Sequence, residues 1–502
     1  MADRPRPKVA MIGLDAAELS FIQQHLLSLP TLRQILESGT LHHLASTAGV
    51  FPGSVWPTFY GGMHPGDHGI YHHLQWDSAA MQLRRVAEDW LYVEPFWYEL
   101  ERRKLRVATI DVPMSFPSRL AQGAEIINWG SHDELGPFRA HPKSLAAQIR
   151  SRFGHHHPMG CEIPVRKSRD QLERVRRNLI AGARLKGELS LWMLAQGEWD
   201  FFLTVFGETH RGGHLLWPEE GEEGATPPDG LLDVYRAVDQ SLGTLLDAVS
   251  GEGTTVIVFA LHGMGRNDSQ EHFMPRVMDR VNAGFMGKCA VLDSKNGGDS
   301  VTGQHGVLRT LRESLPAGLQ NAIARAVPVA VRDMVVSRQI SEGHDWGRTP
   351  GIALLADLNG YLRWNLQGRE RRGMLQPGGE AAEDYIAWVR QCLLGLRASD
   401  VGVPLVREML LSREHFPGRR TDLLPDAVVT WNGLPPISRV DSQGIGSLTA
   451  EAATGRAGNH RSDGFCVVLE GTGKPALRVP PPSHISDLSN FVNDKIGQAV
   501  SS

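Results

Sequence analysis

Several short stretches of this 502-residue chain carry residue types that bind cations or attack electrophiles. Asp15 comes just after the apolar run Lys8 to Ile12 and its closing Gly13, a frequent position for a metal- or phosphate-binding acid. In GETHRGGHLLW, Gly207 to Trp217, His210 and His214 stand four residues apart, so on a helix both imidazoles leave one face, as a divalent cation needs. Glu208 adds a carboxylate able to orient them. His262 lies between the apolar run VIVFA and Gly263, and His460 sits with Asp463 in TGRAGNHRSDG. Ser54 belongs to FPGSVWPTFYGGMHPGDHGI, where Pro57 is tolerated only within the first turn of a helix. Ser54 therefore falls near an N-cap, where backbone N–H groups stabilise an alkoxide or a phosphate oxygen. Thr58, one turn further in, is the rival hydroxyl. One carboxylate, one helix-starting hydroxyl and four glycine-flanked histidines form a ligand set suited to zinc or manganese and a phosphoryl oxygen.

Taken singly, each residue has a plainer reading. Ser54 serves as an ordinary N-cap, Asp15 caps the following helix, and His262 is a core histidine bonded to backbone. A histidine pair at this spacing more often binds nothing, and the loop around His460 is simply solvated. Only the ensemble argues for chemistry.

Such residues need a frame that gathers them. Apolar runs end at Gly13, at Asp111, at Gly207 and just before His262, and helical periodicity covers Ser168 to Ala195 and Leu231 to Val249. That alternation predicts an α/β fold with a mixed, mostly parallel central sheet flanked by helices. In such sheets ligands gather beyond the carboxyl ends of the strands, which places Asp15, Glu208, His210 and His262 on one rim. Residues 1–265 read as the first part of the core, 266–343 as an inserted, partly irregular cap containing GGDSVTGQHG, and 344–502 as the remainder of the core with the last histidine and a polar tail.

Composition closes other routes. The balance of 52 basic against 56 acidic residues offers no broad cationic field, so no nucleic-acid polymer is expected as partner. No apolar stretch is long enough for a membrane span, and the opening MADRPRPKVAMIGLD lacks a secretory h-region, which points to a cytoplasmic protein. The four cysteines, Cys161, Cys289, Cys392 and Cys466, form no CxxC pair and read as reduced thiols. GxxxxGK[ST], HExxH and GxSxG are all missing. His155 to His157 read as a solvated loop, and Arg348, Arg363 and Arg369 as anion ligands or surface charges.

In order along the chain, GLDAAE, the hydroxyl before an aromatic-rich helix, GMHPGDHGI, ETHRGGH, HGMG and GNHRSDG resemble the alkaline phosphatase superfamily, and within it the type I phosphodiesterase / nucleotide pyrophosphatase family. DWGRTPGIALLADLNGYLRWNLQGRE looks like a segment that members carry before their last metal histidine. The resemblance implies an alkaline phosphatase-like core and a hydrolase of phosphodiester or pyrophosphate bonds, acting on a small phosphorylated substrate through a covalent intermediate. Ser54 would be the nucleophile, with Thr58 as alternative. One or two divalent ions, Zn2+ or Mn2+, would be held by Asp15 and His262 on one side and by His210, His214 and His460 on the other. His72 and His73 follow the HGI turn where relatives often place an asparagine, so they and Glu208 would contact substrate. The family usually has Asp at the place of His210 and an Asp-His pair at the place of Leu261-His262, and the segment from Ser54 to Gly62 is two residues short of family spacing. The same scaffold admits a phosphomonoesterase, a phosphonate hydrolase, or a degenerate protein that binds a phosphoryl ligand without turnover. A sulfatase lacks its maturation signal at Ser54-Val55-Trp56-Pro57-Thr58.

Overall fold

The computed structural model describes residues 7–154, 167–218, 229–293, 329–354, 358–451, 455–471 and 479–501. His155 to His157 and the GGDSVTGQHG stretch lie outside them. The chain divides into two compact units, one of residues 1–73, 87–266 and 455–502, the other of 74–86 and 267–454. The second unit thus runs beyond the 266–343 segment expected from sequence and also takes in a short piece before it.

The first unit is built on an eight-stranded sheet. Its strands are β1 (Val9–Leu14), β2 (Thr40–Ala45), β3 (Val107–Ile110), β4 (Ala124–Ile127), β5 (Arg139–His141), β6 (Phe201–Phe206), β7 (Thr255–Ala260) and β8 (Asp463–Glu470), in the spatial order 2-8-7-1-6-3-4-5. β7, β1, β6, β3 and β4 run parallel to their neighbours in that series, while β8 is antiparallel to β7 and β2, and β5 to β4. β1, β6 and β7 are buried at every residue, because helices cover both faces of a parallel sheet. The sheet expected from sequence is therefore present.

Four helices matter to the site: α1 (Val55–Gly61), α2 (Arg169–Leu194), α3 (Glu208–Leu216) and α4 (Gly230–Val249). α2 starts with a capping box, in which the Ser168 side chain accepts from the Gln171 N–H and the Gln171 side chain accepts from the Ser168 N–H. Leu179 and Ala183 of α2 and Val234, Val238 and Leu242 of α4 pack with Ile12 and Val258 of the sheet in one apolar cluster.

A buried ion pair joins α2 to the carboxyl end of β3, where Lys186 contacts Asp111 and both side chains are almost fully enclosed. Asp111 Oδ1 also accepts from the Trp129 N–H at 2.8 Å, which anchors the loop after β4. Removing one partner strands a charge without water, so Lys186→Met is expected to cost about 3–5 kcal/mol of stability. The check is a lower urea midpoint at unchanged m-value.

The second unit contains a four-stranded antiparallel sheet of Gly351–Leu354, Gly360–Trp364, Ala427–Trp431 and Val406–Leu411, packed against the helix Glu380–Leu394. Arg363 is buried there, its Nε donating to Glu370 Oε1 at 2.8 Å and its Nη1 to the carbonyls of Asp422 and Leu424. Arg369 donates to both carboxylate oxygens of Asp426. These two arginines are internal struts rather than surface charges, whereas Arg348 is exposed.

Candidate metal centre

The parallel strands end on the same side, and their first residues beyond the ladder supply the site. The Asp15 N–H donates to the Phe206 carbonyl at 2.9 Å, extending the β1–β6 pairing by one residue. Its own carbonyl accepts from Thr209 Oγ1 at 2.6 Å, which ties the first turn of α3 to the end of β1. His210 and His214 then share one face of α3. After β7 the chain passes through Leu261 and His262 into a short strand, Gly263–Arg266, paired antiparallel with Gly458–Arg461 so that Met264 faces His460. Gly458 allows this ribbon to lie against α3, since a Cβ there would stand 2.2 Å from the Gly213 carbonyl.

Sequence-distant imidazoles meet as a result. Ring centroids are 4.7 Å apart for His210 and His214, 4.6 Å for His214 and His460, 4.8 Å for His262 and His460, and 5.0 Å for His210 and His460. His262 Nε2 lies 3.7 Å from Asp15 Oδ1. Backbone carbonyls, which only accept, set two tautomers: His214 Nδ1–H donates to Gly458 at 3.0 Å and His262 Nδ1–H to Gly263 at 3.1 Å. Each Nε2 is thereby left with its lone pair, the form a cation requires. Ligand atoms of His210, His262 and His460 all lie within 4.8 Å of one another, as do those of Asp15, His132 and His210. Imidazole and carboxylate donors of this kind fit zinc or manganese.

The charge states agree. Burial would raise the Asp15 carboxyl, but His132 and His210 beside it hold it well below the usual carboxylate range. Burial, with His132 next to it, pushes His210 down to about 4, and burial with His460 nearby pushes His262 down to about 3. Burial acts downward on His132 as well, but the carboxylates of Asp15 and Asp133 outweigh it and the net shift is upward. At neutral pH the centre therefore presents one anion and at least two uncharged imidazoles, which need no deprotonation before binding a cation.

The sequence reading passed over His132. It stands in the loop after β4, so it obeys the same strand-end rule as Asp15 and His262, and the run AEIINWGSHD held that signal. His132 stacks on His210 with centroids 3.8 Å apart. Its neighbour Asp133 contacts His73 Nδ1 at 3.1 Å, and His73 in turn stacks on His72 at 4.1 Å. Glu208 is buried in the first turn of α3, where a carboxylate complements the helix dipole.

The two hydroxyls are differently placed. Ser54 ends the 3-10 turn Pro52–Ser54 at the N-cap position of α1, yet its side chain makes no capping bond. Its Oγ lies 2.7 Å from both Thr47 Oγ1 and the Phe51 carbonyl. Gly53 fits here because a Cβ would meet the Tyr71 carbonyl at 2.5 Å. Thr58 Oγ1 is 3.1 Å from His68 Nε2. His68 Nδ1 accepts from the Ile70 N–H, so a neutral His68 donates through Nε2 and cannot take the Thr58 proton. Between them, Trp56 Nε1–H donates to Asp15 Oδ1 at 3.2 Å, which brings the first turn of α1 to the candidate ligand Asp15.

A model of the family described as type I phosphodiesterase / nucleotide pyrophosphatase matches residues 9–371. Among solved structures, the chain is similar to phosphonoacetate hydrolase from Sinorhizobium meliloti 1021 in complex with phosphonoformate, at 14% identity and a TM-score of 0.50, covering 99% of this chain and 96% of that one. It is also similar to murine ectonucleotide pyrophosphatase / phosphodiesterase 5 in complex with AMP, at 12% identity and a TM-score of 0.47, covering 99% and 96%. At such identities the likeness is one of fold. No curated protein matches the chain.

Proposed function

Since the chain belongs to the type I phosphodiesterase / nucleotide pyrophosphatase family, we propose that it is a metal-dependent hydrolase of phosphodiester or pyrophosphate bonds in small phosphorylated substrates. The observation that carries this reading is the convergence of Asp15 with His210, His214, His262 and His460 beyond the carboxyl ends of the parallel strands. Asp15, His210, His214, His262 and His460 would hold one or two zinc ions, or manganese. Bound there, such ions supply positive charge to a nonbridging phosphoryl oxygen and to an attacking oxygen.

Ser54 is assigned as the nucleophile. It closes the 3-10 turn that leads into α1, and Trp56 two residues on is bonded to Asp15. To attack, its Oγ must turn away from the Phe51 carbonyl, and Thr47, 2.7 Å away, is placed to follow that hydroxyl. His72 and His73 are assigned to the substrate's phosphoryl oxygens, with Asp133 fixing the His73 ring. Glu208 stays with them as a supporting carboxylate.

The test uses the purified full-length chain and bis-p-nitrophenyl phosphate. Turnover is expected with zinc or manganese, lost on chelation and restored by the same ion. A chain inert under both metals is instead a phosphoryl-ligand binding protein, the outcome that Leu261 beside His262 would then explain. Faster hydrolysis of p-nitrophenyl phosphate or phosphonoacetate would move the assignment to a monoesterase or a phosphonate hydrolase.

A further inference from the structure

We propose that His132 is a metal ligand, completing with Asp15 and His210 a three-donor cation site on the loop after β4. The inference rests on the reading of this region as a metal centre and adds a ligand to it. Asp15 Oδ2 faces His132 Nδ1 at 3.0 Å and His210 Nδ1 at 3.1 Å. Among the described residues, none of these three buried atoms has a hydrogen-bond partner of good geometry. Three polar atoms enclosed at such distances without a hydrogen bond of good geometry offset their burial only in part, through charge, and a cation among them would satisfy all three.

The loop is built to hold the ring there. Trp129 is anchored on Asp111, Ser131 Oγ donates to Asn128 Oδ1 at 3.0 Å, and Asn128 Nδ2 donates to the Gly136 carbonyl at 2.9 Å. Arg211 Nη2 donates to the Ser131 carbonyl at 2.8 Å, so the residue following His210 fastens the loop to α3 and fixes the His132–His210 stack. Asn128 and Asp133 bracket the turn with left-handed φ values of 58° and 51°, a conformation that Asn and Asp tolerate better than most residues. Asp133 Oδ2 lies 3.7 Å from His132 Nε2 on the ring's far side, so a negative charge, though not a hydrogen bond, faces the second nitrogen. The neighbouring position 261, a leucine, offers no donor at all.

His210 belongs to both ligand groups. A neutral imidazole offers one lone pair, so His210 serves one ion at a time, and His132 decides whether the ion beside Asp15 keeps three protein ligands or falls to two.

Chelator-stripped full-length protein is titrated with Co2+, whose visible spectrum reports coordination, and the metal-to-protein ratio is measured in parallel. His132→Ala is expected to weaken one class of Co2+ binding by more than about 100-fold, beyond the roughly 10–100-fold that loss of a merely supporting contact brings. If that variant folds poorly, a zinc-soaked crystal of the wild-type chain answers instead, with an anomalous peak about 2.0–2.1 Å from the His132 nitrogen. Unchanged Co2+ stoichiometry and affinity in His132→Ala, or a peak beside Asp15 that excludes His132, overturns the proposal. Hydrolysis of bis-p-nitrophenyl phosphate by the wild-type preparation separates the two readings. Turnover with unaltered Co2+ binding in His132→Ala removes this ligand and leaves the hydrolase, while His132-dependent Co2+ binding without turnover keeps the ligand and removes the hydrolase.

Discussion

Ser54→Ala is expected to lower kcat on bis-p-nitrophenyl phosphate by on the order of 10³-fold or more, with divalent-ion content unchanged. A nucleophile contributes to the transition state through a bond that no neighbour replaces, so its loss appears in kcat rather than in KM. Ser54 is fully enclosed, and its removal leaves Thr47 and the Phe51 carbonyl to bond each other or water, a cost to stability of about 1 kcal/mol. Thr58→Ala is the companion measurement. The Thr58 hydroxyl accepts from His68 in the interior of α1, so its loss is expected to lower the melting temperature and to leave kcat within about tenfold of wild type. The reverse pattern, with Ser54→Ala active and Thr58→Ala dead at equal metal content, would move the nucleophile one turn along the helix.

Asp15→Asn carries the second large effect. Asp15 is the one carboxylate among the clustered ligands, and it stands within 3.7 Å of three imidazoles and accepts from Trp56. The amide keeps the shape and the Trp56 acceptor while removing the negative charge. Without that charge the centre would consist of neutral or cationic rings, which would hold a divalent ion only weakly, and the positive charge such an ion would supply at the site would be lost with it. Turnover is expected to fall by on the order of 10³-fold, with bound zinc dropping in parallel by elemental analysis. An Asp15→Asn protein with full metal and full turnover would remove the carboxylate from the mechanism.

Much of this was visible in the residues alone, because strands buried on both faces write themselves as near-continuous apolar runs. β1, β6 and β7 are such runs, and each ends in polar residues that the structure gathers within a few ångströms. α2 and α4 were equally legible from their periodicity, since long amphipathic helices repeat their pattern over many turns. The residues Ala16 to Gln34 have a helix-like pattern but form a short helix, a 3-10 turn and the start of a second helix, Leu19–Gln24, Leu26–Ser28 and Pro30–Ser38. Pro30 at the start of the last piece was the local cue.

His132 shows where strand-end reasoning was applied too narrowly. β4 has only four residues and is followed by Asn128 and Trp129, so the transition from apolar to polar was blurred where β7 makes it sharp. Ser54 shows a different limit. Sequence placed it correctly at the N-cap of α1, but the direction of its hydroxyl depends on Thr47 and on the close approach of Gly53 to Tyr71, neither of which spacing can reveal. The second unit was hardest to outline because its two pieces are separated by residues 87–266, and no composition change marks the joins at 74–86.

The ribbon Gly458–Arg461 has a consequence for how the protein is made. It delivers His460 opposite Met264, and β8 closes the sheet between β7 and β2, yet both emerge only after roughly two hundred further residues have left the ribosome. Until then a nascent chain exposes the unsealed flank of β7 and an incomplete ring of imidazoles. A chain truncated before Gly458 would hold most of the sheet but neither β8 nor His460, and so would lack one imidazole of the cluster.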